Sequence, residues 1–282
     1  PHISYQDFTH YNLKYARWTG NEWDGLDAVF GVDTIDLIGS VGYYTSIAPV
    51  MLPYLRERPL NVHRWPDGVG GKTQFWQKQI PDHAPEWVAR WDYPEAGKTQ
   101  SHTYVVADRV ATMAWLANQA CIDLHPWTSR LPEYRQPTYA YIDIDPGTET
   151  TWEELITLTR LYRTALEHLG VHGYPKLSGK RGIQIWIHVA PKYTFDETRD
   201  WVGELSRGVG AVVPDLVSWE WSKADRGGKA RLDYTQNSFI KTLVAPYAVR
   251  PVPTASVSTR TTNRCHACVI GYSGSVRGRT PP

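Results

Sequence analysis

Residues 138–190 read TYAYIDIDPGTETTWEELITLTRLYRTALEHLGVHGYPKLSGKRGIQIWIHVA, and the change of period along them decides the fold. Thr138 to Asp145 is rich in β-branched and aromatic residues and stops at Pro146-Gly147, which predicts a strand. From Thr151 to Leu169 the period becomes helical, with Leu155, Leu158, Tyr162, Ala165 and Leu169 on one stripe. Thr151 and Glu154 supply a capping box, and Gly170 stands where a terminating glycine belongs. Gly182 to Ala190 returns to period two, Ile183, Ile185, Ile187 and Val189 alternating with Gln184, Trp186 and His188. A sheet covered by helices follows.

Working outward, helical spacing predicts helices over Asp33 to Leu55 and Arg109 to Ala120, and further strands over Ala230 to Tyr234 and Lys241 to Ala245. Ser256 to Pro282, rich in Ser, Thr, Arg and Gly, reads as a tail. The 282 residues are 41% hydrophobic and 21% charged, enough to bury a core in one large or two modest domains. No run approaches the roughly 18 apolar residues of a membrane span, so the expectation is a protein with no membrane partner. The first residues carry neither a basic leader nor an apolar signal core, which predicts a cytoplasmic, nucleoid-associated protein. Three cysteines, Cys121, Cys265 and Cys268, are too few for a disulfide framework. Cys265-His266-Ala267-Cys268 has the ligands for half a zinc site, and no second pair follows.

The net charge of +1 hides a segregation. Residues 1–171 carry 14 Lys and Arg against 21 Asp and Glu, whereas residues 172–282 carry 16 against 8. A basic half joined to an acidic half suits a polyanion groove beside a carboxylate site, although uneven surface charge alone gives the same counts.

Asp143 and Asp145, two apart on one strand, leave the same face with α-carbons about 6.5 Å apart. Their strand stops at once, so both acids sit at its exposed end. Such a pair is costly unless cations compensate it, and two metal ions about 3.5–4 Å apart are the arrangement that serves in-line phosphoryl displacement. The plainer alternative is a solvated strand end or a pair bridged to Arg or Lys. In KLSGKRG, Lys176, Lys180 and Arg181 surround a Ser178-Gly179 turn, where amides, a hydroxyl and cations converge as they do on a triphosphate; an ordinary basic loop reads the same way. Asp233 lies in a predicted strand among Arg226, Lys229, Arg231, Lys241 and Arg250, as a third metal carboxylate or as the partner of Arg231 or Arg226. Phe75 and Trp76 beside Lys72 and Lys78 form a base-stacking pair or pack in the core.

In order, RWPDGVGG, FW-x-K, LHPW, YIDIDPG, SGKRG, LDYTQNS and KTLVAPYAVR resemble the polymerase domain of bacterial ligase D, in the archaeo-eukaryotic primase superfamily, between Leu52 and Arg250. The resemblance implies an α+β fold, with an RRM-like sheet, a second α/β lobe and the active site in the cleft between them. Its catalytic domain would cover residues 1–255, the N-terminal lobe ending near 135. It implies template-dependent addition of NTP or dNTP to gapped, overhanging or single-stranded DNA in non-homologous end joining, with two Mn²⁺ or Mg²⁺ ions and partners such as a separate ligase and a Ku-type end-binding protein. Asp143, Asp145 and Asp233 match the metal ligands; His125, Ser178, Lys180, Arg181, Arg226, Gln236 and Arg250 match the nucleotide pocket; Phe75 and Trp76 match the template-stacking pair, with Arg64 and Lys14 as DNA contacts. The chain departs from the pattern at Gln184, where the family has His, and around Asp33 and Thr34, where it has a lysine for a 5′-phosphate; Trp18 to Val32 looks inserted. The rival functions are a primer-synthesising primase in replication or excision-repair gap filling, a non-catalytic DNA-end binding module, and a three-carboxylate metal nuclease.

Overall fold

The chain opens with an antiparallel meander of β1 (His2–Asp7), β2 (Asn12–Trp18) and β3 (Trp23–Leu26). The structure, a computed structural model, describes residues 2–7, 12–18, 23–26, 37–95 and 102–260, with side chains from Ser40 onward. Helix α1 (Leu37–Leu55) leads into β4 (Pro59–Arg64), β5 (Phe75–Gln77), β6 (Arg90–Asp92), β7 (Thr103–Val106), α2 (Val110–Asn118) and β8 (Cys121–Pro126). In this sheet β4 is central: β8 pairs along one side of it, while β7 and β5 share the other. Helices α1 and α2 pack beneath, where Tyr44, Ile47, Met51, Leu55, Met113 and Leu116 meet Leu60, Val62 and Leu124 in a first core.

A second sheet follows from β9 (Tyr139–Asp145), α3 (Trp152–His168), β10 (Gly173–Leu177), β11 (Ile183–His188), α4 (Phe195–Val212) and β12 (Arg231–Asp233). This β-α-β-β-α-β run gives the strand order β10-β11-β9-β12, every neighbour antiparallel, the RRM-like arrangement that the resemblance implies. Helices α3 and α4 cover one face, where Ile142, Ile144, Ile183, Ile185 and Leu232 pack on Leu155, Leu158, Tyr162 and Val202 in a second core. Each such side chain contributes about 1.5–3 kcal/mol by burial. That energy sets the register: a slip of one residue would drive Asp143 and Asp145 into the apolar layer.

The Thr151 capping box forms with Glu154, and Gly170 adopts the left-handed conformation at φ +67°. Helix α1 is observed from Leu37, and Asp33 to Asp36 lie outside the described residues. The strand expected over Lys241 to Ala245 does not form. Ile240 and Tyr247 take positive φ values of 65° and 70°, which break an extended ladder on both sides, and Thr242 makes only an isolated bridge to Trp127. The segment instead crosses to the first core, burying Val244, Ala245, Ala248 and Val249 there. Ser256 to Arg260, read as the start of a tail, is tied down: the Ser258 amide donates to Ala248 at 3.0 Å and the Leu177 amide to Thr259 at 2.8 Å. Cys121 is buried; Cys265, His266 and Cys268 lie outside the described residues, as do Asp33, Thr34 and most of Trp18 to Val32. Among the described residues no helix is long and apolar enough to cross a membrane.

Candidate functional site

The face of the second sheet opposite α3 and α4 carries a row of polar side chains across all four strands. Lys176 on β10 stands opposite Gln184 on β11, Gln184 opposite Asp143 on β9, and Asp143 opposite Asp233 on β12. One step along, Asp145 stands opposite Arg231. Further down, this face carries the buried rings of Tyr139, Tyr141 and Trp186. Period-two alternation thus sends isoleucines to the helices and acids to the opposite side.

Burial pushes the Asp143 carboxyl up to about 6; a hydrogen bond from Gln184 works against this, and repulsion from Asp233 and Asp145 adds to it. Asp145 is held by cations: Arg226 donates to its Oδ2 at 2.8 Å and Lys223 to its Oδ1 at 3.2 Å. Asp233 accepts from the amide and hydroxyl of Thr235 at 2.9 and 2.6 Å, and from Gln236 Nε2 at 3.2 Å, with Arg231 at 3.9 Å. Asn237 fixes the edge beyond β12 by accepting from the Tyr141 amide and donating to its carbonyl, both at 2.7 Å. In these poses no three His, Cys, Asp or Glu side chains among the described residues form a group ready to hold an ion. The register brings the three acids to one place, and their side chains are turned onto local donors.

A second group gathers at the junction of the two sheets. Asp123 on β8 is 2% exposed, and its Oδ1 meets His125 Nε2 at 2.9 Å and Arg250 at 3.0 Å. Burial works to raise Asp123, yet His125, Arg250 and Lys180 together hold its carboxyl below the usual range. The Ser178–Gly182 turn lies against this group. Ser178 Oγ accepts from the amides of Lys180 and Gly182 at 3.3 and 3.1 Å, and Arg181 donates to the Gly147 carbonyl at 2.9 Å. Gly179 has φ +75°, and a Cβ there would come within 2.6 Å of Arg250 Cγ. Burial and the nearby Arg250 lower Lys180. Lys176, read as one of three cations around the Ser178-Gly179 turn, is instead buried between the two groups. It donates to the Val244 carbonyl at 3.2 Å and to Ser258 Oγ at 2.6 Å. Burial and Arg250 bring it down to about 7, against Asp143 and Asp123.

Trp76 joins this second group, stacked on His63 at 4.5 Å and edge-on to His125 at 4.8 Å. Phe75 does not. Opposite Arg64 on the edge strand β5, it points to the other side of the sheet, with the Arg64 guanidinium 5.4 Å from its ring. Arg64 is itself bonded to Gln119 and Gln77. Lys14 lies in β2, and its side chain is outside the described residues. Of the residues singled out by sequence, the structure therefore assembles Asp143, Asp145, Asp233, Arg226 and Gln236 in one group and His125, Ser178, Lys180, Arg250 and Trp76 in another, turns Arg181 from the second group's turn to the Gly147 carbonyl just beyond Asp145, and sets Phe75 and Arg64 apart. Asp123 and Lys223 are the partners that sequence reading passed over, and Gln184, noted only as a departure from the family pattern, stands beside Asp143; the alternation Ile122-Asp123-Leu124-His125 was the signal that Asp123 shares a face with His125.

Residues 38–263 match the family described as LigD, primase-polymerase domain. The chain is 30% identical over 210 residues to the multifunctional non-homologous end joining protein LigD of Mycolicibacterium smegmatis, covering 74% of this chain and 27% of that one. It is 30% identical over 211 residues to the bifunctional LigD of Bacillus subtilis, covering 74% and 33%. It thus spans about a quarter to a third of the length of these relatives. Among solved structures, the polymerase domain of Mycobacterium tuberculosis ligase D in complex with DNA superposes with a TM-score of 0.74 at 28% identity, covering 80% of each chain.

Proposed function

Because the chain belongs to the LigD primase-polymerase family, we propose that it is a template-directed nucleotidyltransferase that extends DNA ends or fills gaps in double-strand break repair. The observation that carries this reading is the register that sets Asp143 against Asp233, with Asp145 two residues on, on the face of the sheet away from α3 and α4. Three carboxylates offer hard oxygen donors, the ligand chemistry of Mg²⁺ or Mn²⁺. The fit is supported by Asp143, whose burial and like-charged neighbours raise its carboxyl, the strain that a divalent cation relieves. Asp143, Asp145 and Asp233 would hold two ions; when bound, these supply charge stabilisation for the attacking and leaving oxygens.

The rest of the work is positional. Lys180, Arg181, Arg250 and His125 hold the triphosphate of an NTP or dNTP, and the Ser178 turn shapes the loop that carries two of them. Gln236 orients Asp233, and Arg226 and Lys223 hold Asp145 until the ions take their place. Trp76 offers its ring to a template base. The 3′-hydroxyl of the primer then attacks the α-phosphate, a phosphodiester bond forms, and pyrophosphate and one proton leave. Joining the extended end needs a ligase and a Ku-type end-binding protein, the partners that this reading assigns.

The test is incubation with labelled gapped, overhanging and single-stranded templates, Mn²⁺ or Mg²⁺, and NTPs or dNTPs. Template-directed extension is expected. DNA binding without incorporation would make the chain an end-binding module, and shortening of the label without nucleotides would make it a nuclease.

A further inference from the structure

Between α4 and β12, the stretch Ser218-Trp219-Glu220-Trp221 places two indoles beside the acids. Trp219 leans on α4, where a Cβ on Gly210 would come within 2.8 Å of its ring. Trp221 is 67% exposed, and nothing in the chemistry above uses it. A tryptophan on the surface needs no explanation by itself, but this one is held rigidly. Three successive carbonyls of the loop are taken by two arginines of the site: Arg231 donates to Trp219 at 2.6 Å, and Arg226 donates to Glu220 at 3.1 Å and to Trp221 at 2.9 Å. The same Arg226 holds Asp145, and the Arg231 guanidinium lies over the Trp221 ring at 4.7 Å. The indole is therefore bracketed to the acidic row, one face against a cation and most of its surface open.

We propose that Trp221 is a stacking platform for a base of the primer strand, next to the 3′-hydroxyl. This rests on the polymerase reading and adds a strand-specific contact to it. The side of the site identifies the occupant. The triphosphate group lies by the turn joining β10 and β11, whereas the Trp221 loop borders β12 on the opposite edge of the sheet, with Val217 bridged to Ala230. In-line displacement sets the attacking and leaving oxygens on opposite sides of the α-phosphate, so the strand that brings the attacking oxygen arrives from the β12 side. A ring backed by a guanidinium suits any base, because every base has a π-face.

The experiment compares wild type, Trp221→Ala and Trp221→Phe on a gapped duplex with 2-aminopurine either at the primer 3′ end or in the template. Binding is read by fluorescence without nucleotides, and extension is read separately. Stacking predicts that Trp221→Ala raises the Kd and KM for primer-template about tenfold, removes quenching of the primer probe alone and leaves the nucleotide KM unchanged, and that Trp221→Phe restores most of the effect. Unaltered primer quenching in Trp221→Ala, or a change confined to the template probe or to the nucleotide KM, overturns the proposal. Failure of wild type to incorporate nucleotides would instead count against the polymerase reading, and the binding signal would still report on Trp221.

Discussion

Asp143 and Asp233 stand directly opposite one another on adjacent antiparallel strands, with no cation between them in the register. Like charges in that position destabilise a sheet, and burial already lifts Asp143 to about 6. The pair is a fold liability that an added cation turns into a binding site.

The first prediction follows from that conflict. Asp143→Asn removes the repulsion, so the midpoint of thermal unfolding in EDTA rises, by about 2–4 °C for each kcal/mol relieved. The same variant, and Asp233→Asn, lower primer extension on the order of a thousandfold, the loss expected when several kcal/mol of transition-state charge stabilisation disappear. Scanning calorimetry and extension assays on one preparation check both. A variant that extends primers normally would remove these acids from the chemistry.

What could be read beforehand and what could not have physical causes. The strands at Thr138 to Asp145 and Gly182 to Ala190 and the helix between them were legible because each turns an aliphatic face to the second core and its period is strict. Helix α4 gave a weaker signal: Gly203, Gly208 and Gly210 interrupt it, and Gly210 is needed to seat Trp219. The acids were visible as a spaced pair, but the meeting of Asp233 with Asp143 depends on β12 pairing across about 90 residues, which no local pattern encodes. Phe75 and Trp76 looked like one unit, yet adjacent residues of a strand face opposite ways. Lys176 looked like one of the anion-holding cations of the Ser178-Gly179 turn because its burial comes from Val244 and Ser258, contributed by a segment distant in sequence.

The shared acceptor of His125 and Arg250 gives a second prediction. Asp123→Asn keeps the shape and loses the charge-assisted bonds, each worth about 1.5–3 kcal/mol. If Asp123 fixes the direction of both donors, the nucleotide KM rises about tenfold while kcat changes little. If it only dilutes positive charge, the KM falls. Steady-state kinetics in nucleotide, repeated in an Arg250→Lys background, separates the two, because coupled residues give non-additive changes.

Opposite faces on β5 yield the third. Trp76→Ala should weaken binding of template single strand by about 1–3 kcal/mol, the range for one stacked base. Phe75→Ala should change it by much less, since its ring lies with Arg64 on the other side. Anisotropy titrations at one salt concentration decide between them, and equal losses would mean that the strand edge turns on binding.

Lys176 supplies the fourth, through pH. Its folded pKa is lowered to about 7, first by burial and then by Arg250, from the ordinary lysine value of 10.5. Between these values the unfolded chain binds the proton more tightly than the folded one, so stability rises with pH across that window and falls as pH drops toward 7. The slope cannot exceed about 1.4 kcal/mol per pH unit. Lys176→Met lacks the group and should lack this slope. Denaturant unfolding of both proteins in EDTA at pH 7 and pH 9.5 measures the difference. Wild type should gain on the variant at the higher pH, and a gap that stays constant would mean that the ammonium remains charged in its buried site, stabilised by Asp143 and Asp123.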